Sequence, residues 1–206
     1  ANHEIPHDDV EQTIDMGNAL GWLRETNASL SVGGRLVSGV LVLRAVARGL
    51  RKHTKLNALW QGGDAVPSEE IHVGLAVSLR GGGLVAPALR NTDQGSLSDL
   101  MARMTDVVAR ARAGALRSSE MTSATITLTS LGERGVESVT PIIFPPQVAI
   151  VGCGATAERP WVIAGQVVVR PLMHVTLGAD HRVSNGHEGS RFLSTLDRLL
   201  QEPEKL

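Results

Sequence analysis

The chain has one cysteine, no tyrosine, two phenylalanines and three tryptophans among its 206 residues. A lone thiol, Cys153, forms neither an intrachain disulfide nor a multi-thiolate metal site, which suits a reducing cytoplasm. So few aromatic rings give little to stack on nucleic-acid bases. An excess of one charge is also missing. Twenty Lys and Arg face 21 Asp and Glu, and no basic block is present to draw nucleic acid or anionic lipid. No apolar run approaches the roughly 20 residues of a membrane span, so no membrane partner is expected. The opening ANHEIPHDDV does not read as a signal peptide, and without an initiator Met it is expected to be a fragment of a longer chain. Internal repeats, heptads, low-complexity tracts and linkers are absent, which leaves one α+β domain over residues 1–206.

What is present is an ordinary globular mixture, 42% apolar and 20% charged. A chain of this length buries roughly 70% of its unfolded surface. Residues 8–16 carry a strand signal. Residues 17–30 turn helical around Leu20, Trp22 and Leu23, and 31–35 form a turn. Ser38 is the candidate N-cap of a helix whose apolar residues include Leu41, Val42, Ala45, Val46 and Leu50 at helical spacing. Strand runs 71–79 and 84–89 flank Arg80 and three glycines as a hairpin. Ser96 opens a helix with an apolar stripe from Leu97 to Ala111. Further strands are expected at 124–130, 147–152, 161–169 and 173–177. Asn185 caps a last helix that buries Phe192, Leu193, Leu196, Leu199 and Leu200, the last two also compatible with self-association.

Few residues suggest chemistry by pattern alone. Gly81, Gly82 and Gly83 lack the Lys-Ser/Thr of a phosphate loop and precede a strand, so a hairpin tip is the better reading. His3, His7, His53, His72 and His174 are scattered, with no metal-ligand spacing. Cys153 sits in an apolar run and reads as buried; a Cys153–His181 nucleophile pair is a minor alternative. The stretch from Met173 to Gly186 stands apart, because a strand runs directly into Asp180-His181-Arg182 and then a capped helix. A histidine at a strand end can take and return a proton near neutral pH. On local pattern alone a surface or core-satisfied histidine is the better reading of His181, and a capping box with Glu188 the better reading of Asn185.

The run His181-Arg182-Val183-Ser184-Asn185-Gly186 resembles the His-x-x-x-Asp-Gly motif of coenzyme A-dependent acyltransferases. Asp180 before it and Gly189-Ser-Arg-Phe-Leu193 after it narrow the likeness. They resemble the catalytic domain of dihydrolipoamide acyltransferases, the core component of 2-oxo acid dehydrogenase complexes. The same order of landmarks runs through Ile5-Pro6-His7, Leu56-Asn57-Ala58 and Gly83-Leu-Val-Ala-Pro-Ala-Leu-Arg-Asn91. It continues through Ile126-Thr-Leu-Thr-Ser-Leu-Gly132 and Pro141-Ile-Ile-Phe-Pro-Pro-Gln-Val-Ala-Ile150.

The resemblance implies a chloramphenicol acetyltransferase-like two-layer sandwich, a mixed sheet with helices on one side. It implies a homotrimer whose active site lies between subunits, with trimers able to build a cubic or dodecahedral core. Coenzyme A is the implied substrate, and no metal is implied. The lipoyl group would be carried on another domain or chain, with the decarboxylase and dihydrolipoamide dehydrogenase components as partners. His181 is implied as general base on the coenzyme A thiol. Thr129, 52 positions earlier, is the implied oxyanion donor, and Ser130 an implied coenzyme A contact. Asn185, at the third catalytic position, departs from the family's usual Asp. The lipoyl and peripheral-subunit-binding domains of the family are absent from the chain. These departures keep two alternatives open: a catalytically weak scaffold of the same fold, and a transferase acting on a diffusible acceptor.

Overall fold

The computed structural model describes residues 4–79, 81–131 and 135–206. His3, Arg80 and Gly132, which figure in the expectations above, lie outside them. The chain opens with β1 (His7–Asp15), then α1 (Gly17–Ala28) and α2 (Ser38–Leu50). A small hairpin follows, β2 (Ala58–Gln61) with β3 (Asp64–Pro67). The glycine-tipped segment holds β4 (Val73–Leu75), β5 (Val77–Ser78), β6 (Leu84–Val85) and β7 (Ala88–Leu89). Helices α3 (Leu97–Arg112) and α4 (Ser118–Thr122) lead to β8 (Ile126–Ser130) and β9 (Ala149–Cys153). The chain ends with β10 (Ala157–Ile163), β11 (Gln166–Asp180) and α5 (Gly186–Gln201).

The main sheet runs β1-β11-β9-β8-β4-β7, with β10 pairing only to β11. It is mixed: β4, β8 and β9 are mutually parallel, and the other pairings are antiparallel. Strand alternation sorts the central residues to two faces. Leu128, Val151, Cys153, Val175 and Leu177 join the large apolar cluster that α1, α2, α3 and α5 cover. Helix α2 lies at its centre, with ten of its 13 residues buried, so it is apolar nearly all round rather than striped. Its Arg44 is also fully buried. The terminal guanidinium nitrogens reach the turn before α3 and donate to the carbonyls of Gln94, Gly95 and Ser96 at 2.8–3.3 Å.

The opposite face carries Thr127, Ile150, Gly152, Thr176 and Gly178, and an extended segment near 137–143 crosses it. Thr176 Oγ1 donates to the carbonyl of Val139. A Cβ at Gly152 or Gly154 would overlap the backbone oxygens of Val139 and Glu137, so only glycine lets this segment lie against the sheet.

The structure moves several expected boundaries, each for a physical reason. Ser38 is the first helical residue, and the cap is Val37 in extended geometry, so the Ser38 hydroxyl caps nothing. The hairpin over 71–89 is broken in two. Ala76 N–H goes to Leu128 of β8, and Pro87 has no N–H, so β4–β7 and β5–β6 pair separately. The strands expected at 161–169 and 173–177 regroup because the chain reverses at Ala164-Gly165, both at positive φ. Such a two-residue reversal suits a hairpin, but alanine rarely adopts it, so it left no signal. Leu200 is fully buried in the core, while Leu199 is partly buried and packs against the same core. The β10–β11 arm exposes Val162, Val167 and Val169.

Candidate active site

The turn after β11 is built around Asp180. That side chain is buried and accepts hydrogen bonds from the backbone N–H of Arg182 and from its guanidinium, the closest at 2.6 Å. Burial alone pushes the Asp180 carboxyl up, but the Arg182 hydrogen bonds and charge outweigh it and hold it below its ordinary value. The Arg182 guanidinium carbon lies over the Trp60 ring, 3.9 Å from its centroid. The Asp180 carbonyl accepts from Val183 and Ser184 N–H, closing the turn. His181 is thereby fixed in its backbone while its side chain stays out in solvent, 59% exposed. Its backbone N–H donates to Pro6 at 2.8 Å.

The imidazole Nδ1 lies 3.1 Å from Asp8 Oδ2. A carboxylate accepts and does not donate, so in the neutral ring the proton sits on Nδ1 and Nε2 carries the lone pair. Asp8 gave no signal in the sequence. It reaches His181 only because β1 pairs with β11 across the whole of its length, opposing Asp8 to Ala179.

Asn185 caps α5, its Oδ1 accepting from Glu188 N–H at 3.0 Å. The expected capping box is half formed. The Glu188 carboxylate turns away to His53 Nδ1 at 2.9 Å, and His53 Nε2 meets Thr195 Oγ1 at 3.0 Å with its ring edge-on to Phe192. His53 is therefore a satisfied core histidine.

Thr129 lies near the end of β8, half-buried, with exposed Ser130 beside it. By register Thr129 opposes Gly152, and Gly152 opposes Thr176. Two strand spacings separate Thr129 from β11, and His181 lies five residues beyond Thr176. At about 4.8 Å per strand and 3.3 Å per residue, Thr129 and His181 are roughly 19 Å apart within one chain. The structure brings His181 and Asn185 together in one turn and leaves Thr129 and Ser130 at the other end of the sheet.

Other candidates separate from this site. Cys153 is buried on the helix face, its thiol pushed up to about 12 by burial. It opposes Val175, six residues before His181, so the two form no nucleophile pair. It does line an apolar cavity of about 250 Å³ with Leu75, Met104, Leu128 and Met173. Gly81, Gly82 and Gly83 are exposed at positive φ, and Leu79 and Gly83 bond across them as a hairpin tip.

Comparison with known proteins agrees over the whole chain. The family model described as 2-oxoacid dehydrogenases acyltransferase (catalytic domain) matches residues 1–206. The dihydrolipoyllysine-residue succinyltransferase component of the Haemophilus influenzae 2-oxoglutarate dehydrogenase complex is 37% identical over 80% of this chain and 40% of its own length. The acetyltransferase component of the Zymomonas mobilis pyruvate dehydrogenase complex is 30% identical over 98% of this chain and 46% of its own. The chain thus spans less than half the length of these curated relatives.

Among solved structures, the Azotobacter vinelandii dihydrolipoamide acetyltransferase has a TM-score of 0.91 at 29% identity, covering 98% of this chain and 84% of that one. A serine, a histidine and an asparagine are named in the catalytic mechanism of that enzyme, the histidine 52 positions after the serine and four before the asparagine. Thr129, His181 and Asn185 have the same spacings. The cubic core of a pyruvate dehydrogenase multienzyme complex matches at TM-score 0.91 and 30% identity, over 98% and 84% of the two chains. A chloramphenicol acetyltransferase shares the fold, with TM-score 0.65 at 14% identity over 96% and 89%. A full-length family match on a mixed sheet covered by helices leaves one assignment: the chain belongs to the 2-oxoacid dehydrogenase acyltransferase family, as its catalytic domain.

Proposed function

We propose that the chain transfers an acyl group, acetyl in the first instance, between dihydrolipoamide and coenzyme A. The observation that carries this reading is the shared spacing of Thr129, His181 and Asn185 with the three residues of the Azotobacter vinelandii acetyltransferase. A thiol of ordinary pKa near 8.5 is mostly protonated at about pH 7. His181 Nε2 takes that proton from coenzyme A, and the thiolate sulfur bonds to the carbonyl carbon of the acyl-dihydrolipoamide thioester. The Thr129 hydroxyl donates to the oxyanion that forms. The bond to the lipoyl sulfur then breaks, and the departing thiolate recovers the proton from His181. Ser130, next to Thr129, is proposed to contact coenzyme A.

The wide separation of Thr129 and His181 along the sheet, roughly 19 Å by strand geometry, supports a site completed by a second copy. His181 of one subunit would then face Thr129 of its neighbour. A homotrimer within a larger core, fed by lipoyl domains and accompanied by decarboxylase and dihydrolipoamide dehydrogenase components, goes with this reading. So does a cytoplasmic setting, supported by the lone buried thiol. Asn185 no longer favours an inactive scaffold, since asparagine stands at the same spacing in an acetyltransferase.

The test is transfer from acetyl-coenzyme A and from succinyl-coenzyme A to free dihydrolipoamide. Acetyl transfer is expected, and saturable transfer of succinyl alone would reassign the acyl group. A folded oligomer that transfers neither would overturn the reading.

A further inference from the structure

We infer that Asp8 is the positioning residue for His181, holding its ring in the tautomer that leaves Nε2 free to take the thiol proton. The inference rests on the acyltransferase reading for its chemistry and on Asp8 for its geometry. Within one chain the described residues give the imidazole little packing to select a rotamer, and fixing one costs conformational entropy. Asp8 supplies the missing constraint with the 3.1 Å contact from its Oδ2 to Nδ1.

Three features hold the carboxylate there. The nine-residue β1–β11 ladder places Asp8 opposite Ala179, two residues before His181. The Pro6 carbonyl accepts from His181 N–H, clamping the two backbones beside the contact. Both Asp8 carboxyl oxygens also lie 3.7 Å from where a Cβ of Gly186 would stand, at the first residue of α5. The positive end of that helix favours a negative group at this point. Arg182, the nearest cation in sequence, is committed to Asp180, so Asp8 is left to His181.

Replacing a carboxylate that orients a catalytic histidine costs about 10⁴-fold in a buried serine-protease triad, chiefly by admitting the wrong tautomer. Within one chain Asp8 is 22% exposed and His181 more so, a setting less shielded than a buried triad. Asp8→Asn and Asp8→Ala are expected to lower kcat by roughly 10- to 100-fold, with KM for coenzyme A moving by less than about threefold. Asp8→Glu is expected to restore part of the loss.

The second readout is ¹⁵N NMR of labelled histidine. The neutral His181 ring is expected to carry its proton on Nδ1 in the parent chain and on Nε2 in Asp8→Ala. A parent ring protonated on Nε2, or a tautomer indifferent to Asp8→Ala, overturns the inference even if activity falls, because the loss would then come from the fold. An unchanged kcat overturns it as well. If the parent chain transfers no acyl group while its NMR signature is as expected, the acyltransferase reading fails and the contact alone survives.

Discussion

Replacing His181 with alanine is expected to lower kcat for acetyl transfer to dihydrolipoamide by roughly a thousandfold or more. General-base catalysis by a positioned histidine contributes about 10²–10⁴-fold. Here the base acts on a thiol that is largely protonated at neutral pH, so its loss falls on the nucleophile directly. The variant should fold as the parent does. Within one chain the imidazole is exposed, its side-chain partner among the described residues is Asp8, and the turn is held by Asp180, Arg182 and backbone hydrogen bonds that remain. Steady-state kinetics beside thermal unfolding separates these effects. Activity within about tenfold of the parent would remove His181 from the mechanism.

Thr129→Ala is expected to lower kcat by roughly 10²–10³-fold, the usual loss for one oxyanion donor, with little change in KM. Thr129→Ser keeps the hydroxyl and should retain most of the activity. The alternative is that Thr129 is only a strand residue of good β-propensity. In that case both variants would change stability modestly and kcat hardly at all. Its half-buried position near the end of β8, with Ser130 exposed next to it, makes a structural loss small and a catalytic one visible. The pair of variants, assayed on folded protein, decides between the two.

Local chemistry made much of this legible in the sequence. Ser96 caps α3 through Asp99 N–H, and Asn185 caps α5 through Glu188 N–H, both as the side-chain pattern implied. The apolar stripe of α5 buries Phe192, Leu193, Leu196 and Leu200. What escaped was set by long-range pairing or by unusual backbone. Gly165 is a lone turn signal and Ala164 adds none, so the sequence pattern divides β10 from β11 at the wrong place. The β2–β3 hairpin is hard to read although Gly62-Gly63 forms its turn, because each arm is only four residues and β3 is largely exposed. The two ends of the site were legible as residues and as a spacing. Their separation within one chain was not, since it follows from sheet order. Asp8 was invisible for the same reason: 173 positions separate it from His181, and only strand register brings them together.

The central claim is a site shared between copies, and mixed oligomers test it most directly. His181→Ala and Thr129→Ala chains, each nearly inactive alone, are co-expressed with different tags and purified as co-assembled particles. Where a neighbour supplies the second group, a random mixture contains intact sites wherever an intact His181 faces an intact Thr129. About a quarter of parental activity is then expected, from an even chance at each position in a symmetric assembly. Co-assembled particles no more active than either variant alone would contradict the account.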